Sequence, residues 1–379
     1  MMSDNKIIAL TMPKWGMSMA TGKVLEWLME EGARIEKGDE LLEVETEKIV
    51  NAMEANEPGI LCRRVADAGD ELPVGALLAV ISRDAVDNDA VDAFITKFQQ
   101  EFVPEEINEE IDNTPLTATI GAMTIAYRTF PARDDQNNPP ILFIHGFGGD
   151  QNNWLFNITE LSAKHAVYAI DLPGHGASSK SVGGGTLAEF AESVSAWMKS
   201  IDLQQAHIVG HSLGAAIAVE LATQSPGQLA SLTLLSSVGA GTDVDRQYIE
   251  GFISANRRKD LKPCLQRLFA NPELVNRDMI EGVLRVKRIE GVESCMRTIV
   301  AASIFNASDT NPGANLAKLE MPLQLIWGRD DQIAAVSHTD DLPAGINVHI
   351  IDDAGHMLHM EAARKVNDLI ATFITTKPG

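Results

Sequence analysis

The sequence predicts a multidomain chain: a small all-β sandwich at the front, followed by a mostly parallel sheet covered by helices on both faces. Three observations carry this expectation. The 379 residues are more than one domain usually needs. An internal repeat of short strands and glycine turns, from Gly22 to Ile81, lies within a front domain of residues 1–82. From residue 115 to the end, short apolar runs alternate with helical stretches. Hydrophobic content of 45% and charged content of 22% suit a soluble globular protein. The net charge of −22 argues against non-specific binding to nucleic acid or anionic membrane. Cys62, Cys264 and Cys295 show no CxxC spacing, so neither a disulfide framework nor a zinc site is expected. The N-terminal "MMSDNKIIALTMPKW" lacks the apolar core and cleavage site of a signal peptide. The best apolar run, "GAAIAVELA", is interrupted by Glu220, so no membrane span is expected. These features point to a cytoplasmic protein.

The repeat aligns "GKVLEWLMEEGARIEKGDELLEVE" from Gly22 with "GILCRRVADAGDELPVGALLAVI" from Gly59. Gly22, Gly32 and Gly38 fall on Gly59, Gly69 and Gly75. Val24, Leu28, Ile35, Leu41 and Val44 fall on Leu61, Val65, Leu72, Leu78 and Ile81. Alternating apolar positions between glycine turns read as strands, and two such copies make a sandwich with approximate two-fold symmetry. The turn joining the copies contains Glu45-Thr46-Glu47-Lys48, which puts one lysine at an exposed tip.

Over roughly residues 5–82 this pattern resembles the lipoyl domains of 2-oxo acid and acetoin dehydrogenase complexes. The resemblance implies that Lys48, in the E-T-[DE]-K turn, carries lipoic acid in amide linkage. Related biotin-carrier domains set their lysine between methionines, a pattern absent here, so biotin is the weaker alternative. A rigid tip suits a long arm that must visit several active sites.

Residues 83–114 read as an acidic linker, with the charge run "PEEINEE". Inside it, Val91, Phe94, Ile95, Phe98 and Phe102 recur at the spacing of an amphipathic helix, which Pro104 should end. Two uses are open for its apolar stripe: packing on its own chain, or docking a partner enzyme.

In the third segment, residues 115–379, "LTATIGAMTIAYRTF" reads as a hairpin turning near Gly121. The runs "ILFIHGF", "HAVYAIDL", "HIVGHS", "LTLLSSV", "PLQLIWG" and "NVHIID" then read as buried strands of a parallel sheet. The strand "HIVGHS" passes through Gly210-His211-Ser212-Leu213-Gly214 into an alanine-rich helix. G-x-S-x-G between strand and helix forms a tight turn that presents the serine above the sheet. A serine alcohol needs a base, an orienting acid and an oxyanion hole to act as a nucleophile. "WGRDD" offers Asp331 as the acid, with adjacent Asp330 as the alternative. "DDAGHMLHME" offers His356 as the base, with His359 nearby. The loop "FIHGFGGD" and the start of the helix offer the backbone N–H groups of Phe147 and Leu213 as the oxyanion hole, with His145 read as structural.

With "DLPGHGASS" at Asp171–Ser179, these motifs resemble the α/β-hydrolase superfamily, in the branch of esterases and C–C bond hydrolases. The resemblance implies a helical cap at about residues 240–319. The complete chain resembles the acyltransferase components of acetoin dehydrogenase (acetoin-cleaving) complexes. That resemblance implies two partners, a thiamine-dependent acetoin-cleaving enzyme and a dihydrolipoamide dehydrogenase, with coenzyme A as acyl acceptor. The H-x-x-x-D-G motif of ordinary lipoyl acyltransferases is absent, so chemistry falls to Ser212. Basic cap residues (Arg257, Arg258, Lys259, Lys262, Arg285, Lys287 and Arg288) are candidate phosphate partners for coenzyme A, or an ordinary solvated surface. Two other functions stay open: a serine hydrolase carrying a lipoyl domain, and a non-catalytic carrier and scaffold. The sequence contains no P-loop, dinucleotide fingerprint or metal-ligand motif.

Overall fold

Met1–Asn113 and Thr114–Gly379 fold as two compact units in the computed structural model. The structure describes residues 7–13, 21–45, 50–55, 57–84, 86–102, 115–134, 138–237, 244–305, 316–340, 342–343 and 346–375.

The first unit is a pair of four-stranded antiparallel sheets. Its strands are β1 (Ile7–Thr11), β2 (Thr21–Trp27), β3 (Arg34–Ile35), β4 (Glu40–Glu45), β5 (Val50–Glu54), β6 (Gly59–Arg64), β7 (Glu71–Pro73) and β8 (Leu77–Ser82). The sheet orders are β1-β8-β6-β3 and β5-β4-β2-β7. Position by position, each strand of the second repeat takes the place of its counterpart in the first. Turn geometry repeats as well. Gly32 and Gly69 adopt φ of +83° and +100°, Gly38 and Gly75 of +95° and +83°. Only glycine takes these angles without strain. The N–H of Gly32 donates to Leu61 O and that of Gly69 to Val24 O, each at 2.7 Å, so the two halves exchange equivalent bonds. Val24, Ile35, Leu41, Val44, Leu61, Leu78 and Ile81 fill the space between the sheets.

One repeat pair departs from the expected core. Leu28 is 40% exposed, and Val65 packs in a separate cluster. A bulge between Val24 and Glu26 inserts a residue into the pairing of β2 with β4, which reverses the alternation beyond it. Trp27 therefore takes the inward position, and its Nε1–H donates to Ala66 O at 2.9 Å.

The amphipathic stripe forms α1 (Asn88–Glu101), capped by the Asp87 side chain. Val91 is buried and packs with Phe94, Ile95 and Phe98 on Leu77 and Val80 of β8. Leu78 and Ile81 of the same strand face the sandwich core. Both faces of β8 are covered, which is why "LLAVIS" is apolar without alternation. An ion pair between Arg63 and Asp92 at 3.0 Å crosses the same contact. Of the two uses left open for this helix, packing on its own chain is the one observed.

In the second unit, β9 (Leu116–Ile120) and β10 (Met123–Phe130) form the hairpin around Gly121. The sheet continues with β11 (Ile141–Ile144), β12 (Val167–Ile170), β13 (Ala206–His211), β14 (Leu229–Leu235), β15 (Leu323–Gly328) and β16 (Asn347–Ile351). Its order is β16-β15-β14-β13-β11-β12-β10-β9; β11 through β16 run parallel, and β10 pairs antiparallel with β12 and β9. The helices of the layers are α2 (Leu155–Leu161), α3 (Leu187–Ser200) and α4 (Leu213–Gln224). Between β14 and β15 lie α5 (Arg246–Ser254), α6 (Arg258–Gln266), α7 (Arg277–Lys287) and α8 (Val292–Ile299), and after β16 come α9 (Leu358–Glu361) and α10 (Ala363–Thr375). Side chains alternate along the strands, so each sheet face has its own core. Leu142, Ile208 and Leu232 pack with Phe190, Trp197 and Leu221 of α3 and α4. Phe143, Val209 and Ile326 pack with Ile158, Val366 and Ile370 of α2 and α10. Helices α5 to α8 share a third apolar cluster, which also takes in Ile333 and Met357.

Candidate active site

The elbow after β13 holds Ser212 at φ +53° and ψ −115°, a conformation that costs a non-glycine residue of order 1–3 kcal/mol. The residues two positions away on either side, Gly210 and Gly214, must be glycine. A Cβ on Gly210 would sit 2.5 Å from Gly214 O, and a Cβ on Gly214 only 2.3 Å from Ile144 O. The chain thus turns against the backbone of β11 and starts α4 at once.

Loops at the C-terminal ends of β15 and β16 bring the two partners. Asp331 follows β15 and His356 follows β16. Asp331 Oδ1 accepts the N–H groups of Ile333 at 2.8 Å and Ala334 at 2.9 Å, leaving Oδ2 to accept from His356 Nδ1 at 2.8 Å. Because a carboxylate only accepts, Nδ1 carries the proton and Nε2 presents a lone pair. Ser212 Oγ–H donates to that Nε2 at 3.0 Å. Burial works to raise Asp331, but the electrostatic attraction and hydrogen bond of the His356 ring and the two backbone N–H groups outweigh it. Its carboxyl is held below the ordinary value of 3.8. The carboxylate is therefore ionised wherever the serine chemistry would run.

The structure separates the alternatives left open by the sequence. Asp330 is exposed and meets this region only through its backbone N–H, which donates to Ala354 O at 3.0 Å. His359 is fully buried, its ring centroid 4.6 Å from those of both Trp154 and His211 in tilted arrangements. Burial, and then the neighbouring His356, push it down to about 3, so it is a neutral packing group. His145 uses both ring nitrogens on backbone: Nδ1–H donates to Gly146 O at 2.7 Å, and Nε2 accepts from Leu172 N–H at 3.0 Å. Burial lowers it to about 4.

Phe147 and Leu213 both line the cavity that contains Ser212 and His356. Leu213 is the first residue of α4, where a backbone N–H has no acceptor within its helix. The Phe147 loop presses on Ser212: a Cβ on Gly146 would lie 3.0 Å from Ser212 Cβ. The cavity measures about 100 Å³ and is roofed by apolar cap side chains such as Tyr248, Phe252, Leu265 and Met279. Two groups near His356 have contacts that the sequence does not reveal. His211 Nε2–H donates to His356 O at 2.9 Å, and Glu361 Oε2 accepts the N–H of Gly355 at 2.6 Å. Both lie inside the quoted motifs, but nothing in their spacing shows what their side chains reach.

Two of the basic cap residues are already engaged. Arg258 pairs with Glu281. Lys287 donates to Ile253 O at 3.1 Å and to Phe252 O, with its ammonium 4.7 Å from the Phe252 ring centroid. Burial lowers Lys287 to about 8. Lys48, with Thr46 and Glu47, lies outside the described residues. The strands on either side of it, β4 and β5, pair with Glu45 opposite Val50. Among the described residues no cluster suited to a metal ion occurs, and no helix is long and apolar enough to cross a membrane.

Residues 139–363 match a family described as alpha/beta hydrolase fold, and residues 8–81 match one described as biotin-requiring enzyme. A protein of Pseudomonas putida, the dihydrolipoyllysine-residue acetyltransferase component of acetoin cleaving system, is 40% identical over 98% of this chain and 99% of its own length. The component of the same name from Cupriavidus necator is 40% identical over 96% of each chain. The chain belongs to this acetyltransferase family. Of the solved structures, a meta-cleavage product hydrolase from Pseudomonas fluorescens IP01 superposes with a TM-score of 0.61. It covers 69% of this chain and 97% of that one at 18% identity, a likeness of fold alone. The acetyltransferase family thus joins a lipoyl-type domain to an α/β-hydrolase domain, as the sequence resemblance implied.

Proposed function

We propose that this acetyltransferase moves an acetyl group from a lipoyl arm on Lys48 to coenzyme A through Ser212, His356 and Asp331. The observation that carries the reading is the hydrogen-bonded series from Ser212 through His356 to Asp331, at 3.0 and 2.8 Å, on a chain that also has the E-T-E-K turn. Lipoic acid bound to Lys48 would supply a dithiol that carries acetyl as a thioester.

For a thioester substrate in the cavity, Ser212 Oγ attacks the carbonyl carbon as His356 Nε2 takes the serine proton. The N–H groups of Phe147 and Leu213 hold the oxyanion, each contributing roughly 3 kcal/mol. His356 returns the proton to the departing thiol, leaving acetyl on Ser212. In the second half His356 takes the proton of the incoming coenzyme A thiol, which attacks the ester and frees Ser212. The side chains around Ser212 are largely apolar, and the reading requires that the coenzyme A thiol reach the acyl-enzyme ahead of water.

The same reading assigns a thiamine-dependent acetoin-cleaving enzyme and a dihydrolipoamide dehydrogenase as partners, in the cytoplasm. The family membership supports the association with an acetoin cleaving system. Coenzyme A phosphates would meet the cap at Arg257, Lys259, Lys262, Arg285 or Arg288, rather than at the two engaged cations.

Lys48→Arg is the test of the carrier half. The variant is expected to gain no lipoyl mass on coexpression with a lipoylating enzyme and to lose turnover that starts from its own arm. It should retain transfer from free S-acetyl-dihydrolipoamide. Lipoyl mass on the variant, read by intact mass spectrometry, would place the attachment elsewhere.

A further inference from the structure

We infer that Glu361 is a positioning residue that fixes the general base against the cap. This rests on the reading of Ser212, His356 and Asp331 as the catalytic set. Glu361 ends α9, five residues after His356, and its carboxylate bridges two segments distant in sequence. Oε2 accepts the N–H of Gly355 at 2.6 Å, and Oε1 accepts the N–H of Asn271, in the turn after α6, at 3.1 Å. Hydrogen bonds to an ionised acceptor are stronger than neutral ones, so this bridge outweighs an ordinary turn contact.

Two further bonds complete the clamp. Met357 N–H donates to Leu268 O at 3.0 Å, and His356 O accepts from His211 at 2.9 Å. Gly355, His356 and Met357 are therefore held in succession by Glu361, the nucleophile elbow and the cap turn. The fit leaves no slack, since a Cβ on Gly355 would lie 2.7 Å from Ala270 N and 2.9 Å from Leu268 O. Leu268 and Phe269 of that turn also line the cavity. A substrate that displaces the cap turn thus bears directly on the backbone of the base. Loss of Glu361 frees the Gly355 N–H and removes the tie to Asn271, leaving the Met357–Leu268 bond to hold this loop to the cap turn. The imidazole then keeps its 3.0 Å approach to Ser212 for only part of the time.

The test uses the full chain with free S-acetyl-dihydrolipoamide and coenzyme A. Rates are expressed per serine site titrated to completion with an activated phosphonate. Glu361→Ala is expected to lower kcat per site about 30- to 100-fold with KM within about 3-fold, as a misplaced catalytic group does. Glu361→Gln keeps the shape and one oxygen acceptor, and should recover to within about 10-fold of wild type. A residue that only stabilises the fold would lower the melting temperature and the number of titratable sites, but not kcat per site. Glu361→Ala with kcat per site within about 2-fold of wild type would overturn the inference. If Glu361→Ala does not fold, Glu361→Gln decides alone: kcat lowered about 3- to 10-fold supports the role, and unchanged kcat overturns it. Ser212→Ala in the same assay separates the two claims. Activity that survives there removes the catalytic reading itself, whereas an inactive Ser212→Ala beside an unimpaired Glu361→Ala removes only the positioning role.

Discussion

Ser212→Ala is expected to slow acetyl transfer from S-acetyl-dihydrolipoamide to coenzyme A by on the order of 10⁴- to 10⁶-fold, with the fold intact. Removing Oγ takes away the nucleophile and leaves His356 with nothing to deprotonate in the first half-reaction. Alanine tolerates the site poorly only in φ, which serine already strains at +53°, so the melting temperature should change little. The rate that remains would come from the oxyanion hole and from binding, both untouched by the change. The loss should appear in kcat rather than KM, because the hydroxyl contributes more to the transition state than to the ground state. The competing mechanism is direct attack of coenzyme A on the bound thioester, with His356 as its base. That mechanism predicts a variant within about tenfold of wild type in a steady-state rate assay.

Asp331→Asn should lower kcat by about 10⁴-fold while preserving the loop around it. The reason lies in how the carboxylate is shared. Oδ1 accepts from the N–H groups of Ile333 and Ala334, so the asparagine carbonyl oxygen must occupy that position. Its NH₂ then faces His356 Nδ1 as a donor. The imidazole answers by placing its proton on Nε2, which can no longer accept from Ser212. Asp330→Asn, one residue away and exposed, should stay within about 2-fold of wild type, since surface changes away from special features cost little. Equal losses in the two variants would mean that the acidic turn acts through its overall charge, and the assignment of Asp331 would fail.

What the sequence made legible is mostly local geometry. The glycines of the front repeat announce turns because positive φ leaves few other choices. Ser212 announces itself because strand, turn and helix follow one another without a gap. Choosing Asp331 over Asp330 is different: both sit in the same acidic turn, and only the chain of contacts to Ile333, Ala334 and His356 separates them. The stripe of α1 was visible, but an apolar stripe does not say what it covers. The answer lay in β8, whose unbroken apolar run needs a second covering layer. Strict alternation from Val24 would point Leu28 inward, and the bulge in β2 breaks that alternation. The cations of the cap were equally plain in sequence, yet the pairing of Arg258 with Glu281 joins two successive helices across 23 residues. The clamp on His356 was invisible for the same reason, since its bonds run mainly to backbone groups of segments far apart in the chain.

The central claim is that the acetyl group passes through Ser212 to a thiol and not to water. The measurement that bears on it most directly loads the lipoylated protein with acetyl, adds coenzyme A, and follows acetyl-coenzyme A and free acetate by mass spectrometry. Acetyl-coenzyme A is expected as the main product of the wild type, at a rate that Ser212→Ala lacks. Acetate as the main product, with coenzyme A left unacetylated, would contradict the account and mark the second domain as a hydrolase attached to a carrier.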